Sequence, residues 1–100
     1  MATSFEWDEN KNRANRRKHG ISFELAVRVF ADESAIVRQD RSLDGEERWQ
    51  AIGSADGGFL VLLVAHTMAE AGHDLLIRII SARKATPKER RLYEENDRED

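Results

Sequence analysis

Residues 75–89, LLIRIISARKATPKE, set the architecture, because they hold the end of one element and the start of another. The first half is dense in Leu and Ile and suits a strand with at least one buried face. The second half changes character at Thr86-Pro87-Lys88-Glu89, a capping box with Pro at the first helical position. A strand over 74–84 therefore runs into a helix whose apolar content is thin, Leu92 and Tyr93 alone, so that helix is expected to dock weakly. Alternation along the strand places Leu76, Arg78, Ile80, Ala82 and Lys84 on one face and Leu75, Ile77, Ile79, Ser81 and Arg83 on the other. Arg78 stands out there. An unpaired guanidinium among isoleucines is costly. It needs a carboxylate such as Asp40 or Glu47, or else an anion such as phosphate, which its planar fork suits.

Upstream lie the strands that pair with it. FLVLLVAHT (59–67) is apolar on both faces, as a central strand covered on each side should be. RWQAIGSA (48–55) and SAIVRQD (34–40) read as further strands, joined by the polar loop RSLDGEE. ADGG signals a hairpin, MAEAGH a looser loop, and such short connections favour an antiparallel meander. At the N-terminus Phe5–Trp7 suits a very short strand. Asp8 then caps a helix that runs to about Lys18 and ends at Gly20. Apart from Ala14 this helix is polar all round, so core burial cannot hold it, and Trp7 is expected to anchor its start. Ser22 caps a second helix with Phe23, Ala26, Val27 and Phe30 on its apolar face. The expected fold is α+β: two N-terminal helices, a mainly antiparallel four- to five-stranded sheet and a short C-terminal helix. It is expected to be a single domain over 1–100, with an acidic, flexible tail at 96–100.

The chain has 100 residues, enough for one modest core, and no cysteine, which excludes disulfides and thiolate metal sites. The first residues lack a signal peptide's apolar run, and the longest apolar run is too short to span a bilayer. A cytoplasmic protein is expected. The net charge of −3 conceals segregation: five Lys or Arg and no acid lie between Lys11 and His19, and six lie between Arg78 and Arg91 against Glu89 alone. Two basic segments on an acidic protein point to a local anion site, or to two solvated helix faces.

Individual candidates are weighed on the same terms. His19, at a helix C-terminus, suits a dipole-compatible cap, and His66 a satisfied, partly buried core histidine, while His73 falls in a loop. No His pair or carboxylate cluster has metal-ligand spacing, and GSADGG lacks the Lys-Ser/Thr of a phosphate loop, so no metal and no cofactor is expected. Glu89 is explained by its cap. Tyr93 either stacks on a nucleobase or fastens the last helix to the sheet. An Arg- and Lys-rich α+β domain of this kind can bind RNA, or cleave it through 2′-hydroxyl attack with cationic stabilisation of the phosphorane. No helix pair reads as a DNA-recognition module, so direct DNA binding by this chain alone is not expected.

FEWDENKNRANRRKHGISFELAVRVFAD, ERWQAIG and IRIISARKATPKERRLYE together resemble the BrnT family of toxins from type II toxin–antitoxin systems, over Phe5 to about Glu95. The resemblance implies a RelE-like fold, RNA cleavage that inhibits translation, and neutralisation by a DNA-binding BrnA-type antitoxin. Trp7, Asp8, Lys11, Asn15, Lys18, His19 and Gly20 match the family's first block, and Arg48 the middle one. Arg78, Ser81, Arg83, Glu89, Arg90 and Tyr93 match the last. On that basis Arg78 and Arg83 are the expected phosphate and transition-state ligands, with Lys11, Lys18 or His19 transferring protons. Arg48, Arg16, Lys84, Arg90 and Tyr93 are the expected RNA contacts. RNA is the expected substrate and the ribosome a further candidate partner. The alternative is a non-catalytic module that binds RNA or an acidic peptide.

Overall fold

The computed structural model describes residues 2–40 and 45–98. The elements run β1 (Thr3–Glu6), α1 (Glu9–His19), α2 (Phe23–Ala26) continued by a 3₁₀ turn (Val27–Ala31), β2 (Ile36–Gln39), β3 (Trp49–Ser54), β4 (Val61–Ala71), β5 (Asp74–Lys84) and α3 (Pro87–Arg98). Part of the polar loop expected before β3, residues 41–44, lies outside the described residues, as do residues 99–100 of the expected tail. Among the described residues no helix is long and apolar enough to cross a membrane.

The strands form one mixed sheet in the order β1-β5-β4-β3-β2. β2 to β5 make the antiparallel meander that short connections favour, with β4 at the centre and buried on both faces from Val61 to Val64. β1 departs from it by pairing parallel to β5, Phe5 opposite Ile77. The loose loop expected at MAEAGH is absent. β4 runs to Ala71, β5 begins at Asp74, and Gly72 turns the chain with φ +64°. That left-handed conformation costs glycine nothing sterically.

One face of the sheet carries the main core. Ile21, Phe23, Ala26 and Val29 pack there against Ala51, Leu62, Val64, Ile77, Ile79 and Ala82. The expected second helix is a four-residue α turn that tightens into the 3₁₀ turn, so its buried side chains follow spacing i, i+3 (Phe23, Ala26, Val29) rather than the helical i+4. The other face is covered in part by α3, whose Tyr93 joins Ile52, Val61 and Leu63.

The polar helix α1 is held by two buried asparagines rather than by apolar packing. Beyond β1 the outer edge of β5 is unpaired by any strand, and Asn15 completes it. The Asn15 side chain donates to the Ala82 carbonyl (2.8 Å) and the Ile21 carbonyl (2.9 Å) and accepts from the Ala82 N–H (3.2 Å). Asn12 accepts from the Phe23 N–H (2.8 Å) and donates to Glu24 (2.8 Å) and Glu9 (3.1 Å). Ala14, the helix's one apolar residue, is exposed. Asp8 and Gly20 cap the helix as expected. Trp7 anchors its start through Glu9 (3.0 Å) and an edge-on contact with Phe23.

α3 is tied down more firmly than its apolar content suggests. The Tyr93 hydroxyl donates to Asp32 (2.6 Å), Arg90 to the Phe59 carbonyl (3.0 Å), Asn96 to the Ser34 carbonyl (2.8 Å), and the Ser34 hydroxyl donates to Asp97 (2.6 Å). Polar bonds replace the missing apolar face. Residues 96–98 of the expected tail belong to α3.

Candidate active site on the open sheet face

A bulge in β5 decides which side chains share a face. Ala65 is opposite Ser81 and His66 is opposite Ile79, so Ile80 is the extra residue and the alternation reverses there. Leu75, Ile77 and Ile79 therefore share the core face with Ala82 and Lys84, while Leu76 and Arg78 share the open face with Ser81 and Arg83. Simple alternation separates Arg78 from Arg83. The bulge unites them. It also removes Lys84 from Arg78's face.

The pairing register extends this face across the sheet. One row runs Arg38, Gln50, Ala65, Ser81, and the next, nearer α3, runs Ile36, Ile52, Leu63, Arg83. Arg48 lies just before β3 and is half-buried, with its Nε buried and unpartnered among the described residues.

Arg78 is not buried and does not pair with Asp40 or Glu47. Its side chain is 44% exposed and lies 3.5 Å from Glu6 of the neighbouring β1, because the open face there is uncovered. Arg83 is more constrained. Its guanidinium grips Glu89 with both arms (2.8 and 3.0 Å) and donates to the Lys84 carbonyl (3.2 Å). Glu89 also fulfils the expected capping box with Thr86, accepting from the Thr86 N–H at 2.9 Å while its own N–H donates to Oγ1 at 3.2 Å. Arg38 lies 3.6 Å from the same Glu89 and donates through Nε to Gln50 (2.8 Å). The hydrogen bond from Arg83 holds the Glu89 carboxyl down at about 2, against 4.5 ordinarily. The same bond raises Arg83 further. The pair is ionised throughout the neutral range.

α1 borders this face. At 3.6 residues per turn, Asn12, Asn15 and His19 form its docked line, and His19 is half-buried. Arg16, whose charge is felt by Glu24, lies on the flank towards α2. Lys11 and Lys18 fall on the opposite flank, both exposed. Arg16 therefore does not join the open face.

Residues 7–89 match the family described as the ribonuclease toxin, BrnT, of type II toxin–antitoxin systems. The chain belongs to the BrnT family. A comparison with curated proteins gave no match. Membership makes RNA the substrate class and an antitoxin the partner.

In this BrnT toxin two of the expected RNA contacts, Tyr93 and Arg90, are engaged within the fold. Tyr93 takes the fastening role: its ring is buried, and burial together with the Asp32 hydrogen bond pushes its hydroxyl well above the usual range, so it is not free to stack on a base. Arg90 is occupied by the Phe59 carbonyl and by Glu94 (3.0 Å). His66 lies fully buried on the core face. Its Nδ1 is 3.1 Å from the Val64 carbonyl, its Nε2 has no partner among the described residues, and burial lowers its pKa. It is a core histidine as expected, but buried fully rather than partly, and only one of its ring nitrogens has a partner among the described residues.

Arg38 and Gln50 are the site residues the sequence reading missed. Alternation with Ile36 was the available signal for Arg38, but β2 is distant from β5 in the chain and only the strand order brings them together. Glu89 was accounted for as a cap, and its ion pairs depend on Arg83 and α3 meeting in space.

Proposed function

We propose that this BrnT toxin is a metal-independent endoribonuclease of RelE-like fold. It acts in the cytoplasm, inhibits translation by cutting RNA, and is neutralised by a DNA-binding BrnA-type antitoxin. The observation that carries the reading is the union of Arg78 and Arg83 on the sheet face that α3 covers only in part.

The reaction asks little of the protein beyond charge and proton transfer. The 2′-oxygen forms a bond to the adjacent phosphorus and the phosphorus–O5′ bond breaks, giving a 2′,3′-cyclic phosphate and a 5′-hydroxyl. One proton leaves the 2′-hydroxyl and one reaches the 5′-oxygen. Arg83 and Arg78 hold the phosphate and the charge that grows on its non-bridging oxygens. Lys11, Lys18 and His19 are the α1 groups for proton transfer. Arg48 supplies a phosphate contact that places the strand without reading its sequence; Lys84, on the other face, is left out of the site.

Expression should arrest growth, and purified protein should cut RNA in EDTA, with or without ribosomes, more slowly when Lys11, Lys18, His19, Arg48 or Arg78 is replaced by alanine. Binding of RNA with no cleavage under either condition would instead favour the non-catalytic module.

A further inference from the structure

The arrangement around Glu89 points beyond the residues already assigned. Arg38 is on β2 and Arg83 on β5, with β3 and β4 between them. Three strand spacings amount to about 14 Å. Both side chains nevertheless reach Oε2 of Glu89, Arg83 at 3.0 Å and Arg38 at 3.6 Å. Two guanidiniums repel, and each is a flexible side chain with much rotamer freedom to lose. A carboxylate between them offsets the first cost and removes most of the second.

We propose that Glu89 is a positioning residue that joins Arg38 and Arg83 into a single two-armed phosphate site, which makes Arg38 a substrate-contacting residue of the ribonuclease. This rests on the reading of the open face as the RNA site. Each guanidinium keeps donors for a phosphate. Arg83 spends both Nη atoms on Glu89 and one also on the Lys84 carbonyl, leaving Nε–H. Arg38 spends Nε on Gln50 and Nη2 on Glu89, leaving Nη1 unbonded among the described residues.

Glu89 itself is built in too firmly to compete with substrate. Its side chain is only 12% exposed, and it accepts the Thr86 N–H that starts α3. A phosphate that displaced it would also undo the helix cap. The lowered pKa of the carboxyl, held down by the Arg83 hydrogen bond, agrees with a fixed, permanently charged bridge.

The test is Glu89→Gln, which keeps an oxygen to cap Thr86 and replaces the charged Oε2 acceptor facing the two guanidiniums with an amide NH2, together with Arg38→Gln. Cleavage of a single-stranded RNA pool of randomised sequence, with ribosomes present and absent, is measured alongside arginine Nε–Hε NMR signals titrated with the 2′-deoxy form of that pool. Both variants should melt cooperatively and lose about 10- to 100-fold in kcat, with KM changed less than about threefold. In the wild type the Arg38 and Arg83 signals should shift with one midpoint, and in Glu89→Gln they should shift separately or broaden. Wild-type kcat in Glu89→Gln, or a rise in both kcat and affinity, overturns the positioning role while leaving the RNA site intact. Independent shifts in the wild type do the same. A wild-type protein that cuts no RNA under any condition defeats the underlying functional reading, and coupled shifts on the deoxy pool would then still uphold the two-armed site.

Discussion

Replacing Asn15 with alanine should be among the most damaging single changes in this protein, though it removes no apolar contact. Asn15 is buried and makes three hydrogen bonds, to the Ala82 N–H, the Ala82 carbonyl and the Ile21 carbonyl. Alanine would leave all of them without a partner at a covered sheet edge. A buried polar group stripped of its partner costs about 1–3 kcal/mol. The groups share one site and water can reach part of it as α1 lifts, so we take the lower end for each and expect a loss of about 3 kcal/mol. With an m-value of about 1.5 kcal/mol/M for a chain of this size, the urea midpoint should fall by about 2 M. Ala14→Ser, one residue away and exposed, is the control and should change stability by less than about 0.5 kcal/mol. Equilibrium urea denaturation followed by tryptophan fluorescence and by far-UV circular dichroism measures both. A loss below about 1 kcal/mol for Asn15→Ala, or equal losses at the two sites, would show that α1 is not held by this bridge.

Other consequences concern the last helix. Glu89 is ionised in the folded state down to about 2, against 4.5 ordinarily. A depressed carboxyl stabilises fully above its unfolded value and loses that contribution as pH falls through the folded one. The stability advantage of the wild type over Glu89→Gln should therefore be constant near neutrality, shrink between about pH 4.5 and 2, and amount to about 2 kcal/mol once the solvent exposure of Arg83 is discounted. A gap that does not change between pH 6 and 3 would rule out the ion pair. Tyr93→Phe removes the hydroxyl that Asp32 accepts at 2.6 Å but leaves the ring, so thermal melting should show a loss of about 1–2 kcal/mol. Hydrogen exchange of α3 should speed up more than that of β4 in the same variant; uniform acceleration would count against a specific fastening role.

Local chemistry made much of this fold legible. Asp8, Ser22 and the Thr86–Glu89 box are capping signals contained within a few residues, and each caps the helix it announces. The central strand declared itself through apolar residues on both faces. What escaped depends on pairing between distant segments. The bulge at Ile80 is set by how β5 registers against β4, and one extra residue was enough to reverse the side of Arg83 relative to Arg78. Arg38 entered the site through strand order. Tyr93 and Asp32 meet across 61 residues. The docking of α1 lay nearer to hand, because asparagines at 12 and 15 have the i, i+3 spacing of a helix face. Polar residues at core spacing are easily passed over as solvated.

The most direct test of the central claim is the chemistry of the RNA ends produced by wild type and Arg83→Ala in EDTA. The wild type should leave 2′,3′-cyclic phosphates and 5′-hydroxyls, and Arg83→Ala, folded by circular dichroism, should produce them at least about 100-fold more slowly. Products ending in 3′-hydroxyls, cleavage abolished by EDTA, or wild-type rates in Arg83→Ala would contradict an arginine-based site on the open sheet face.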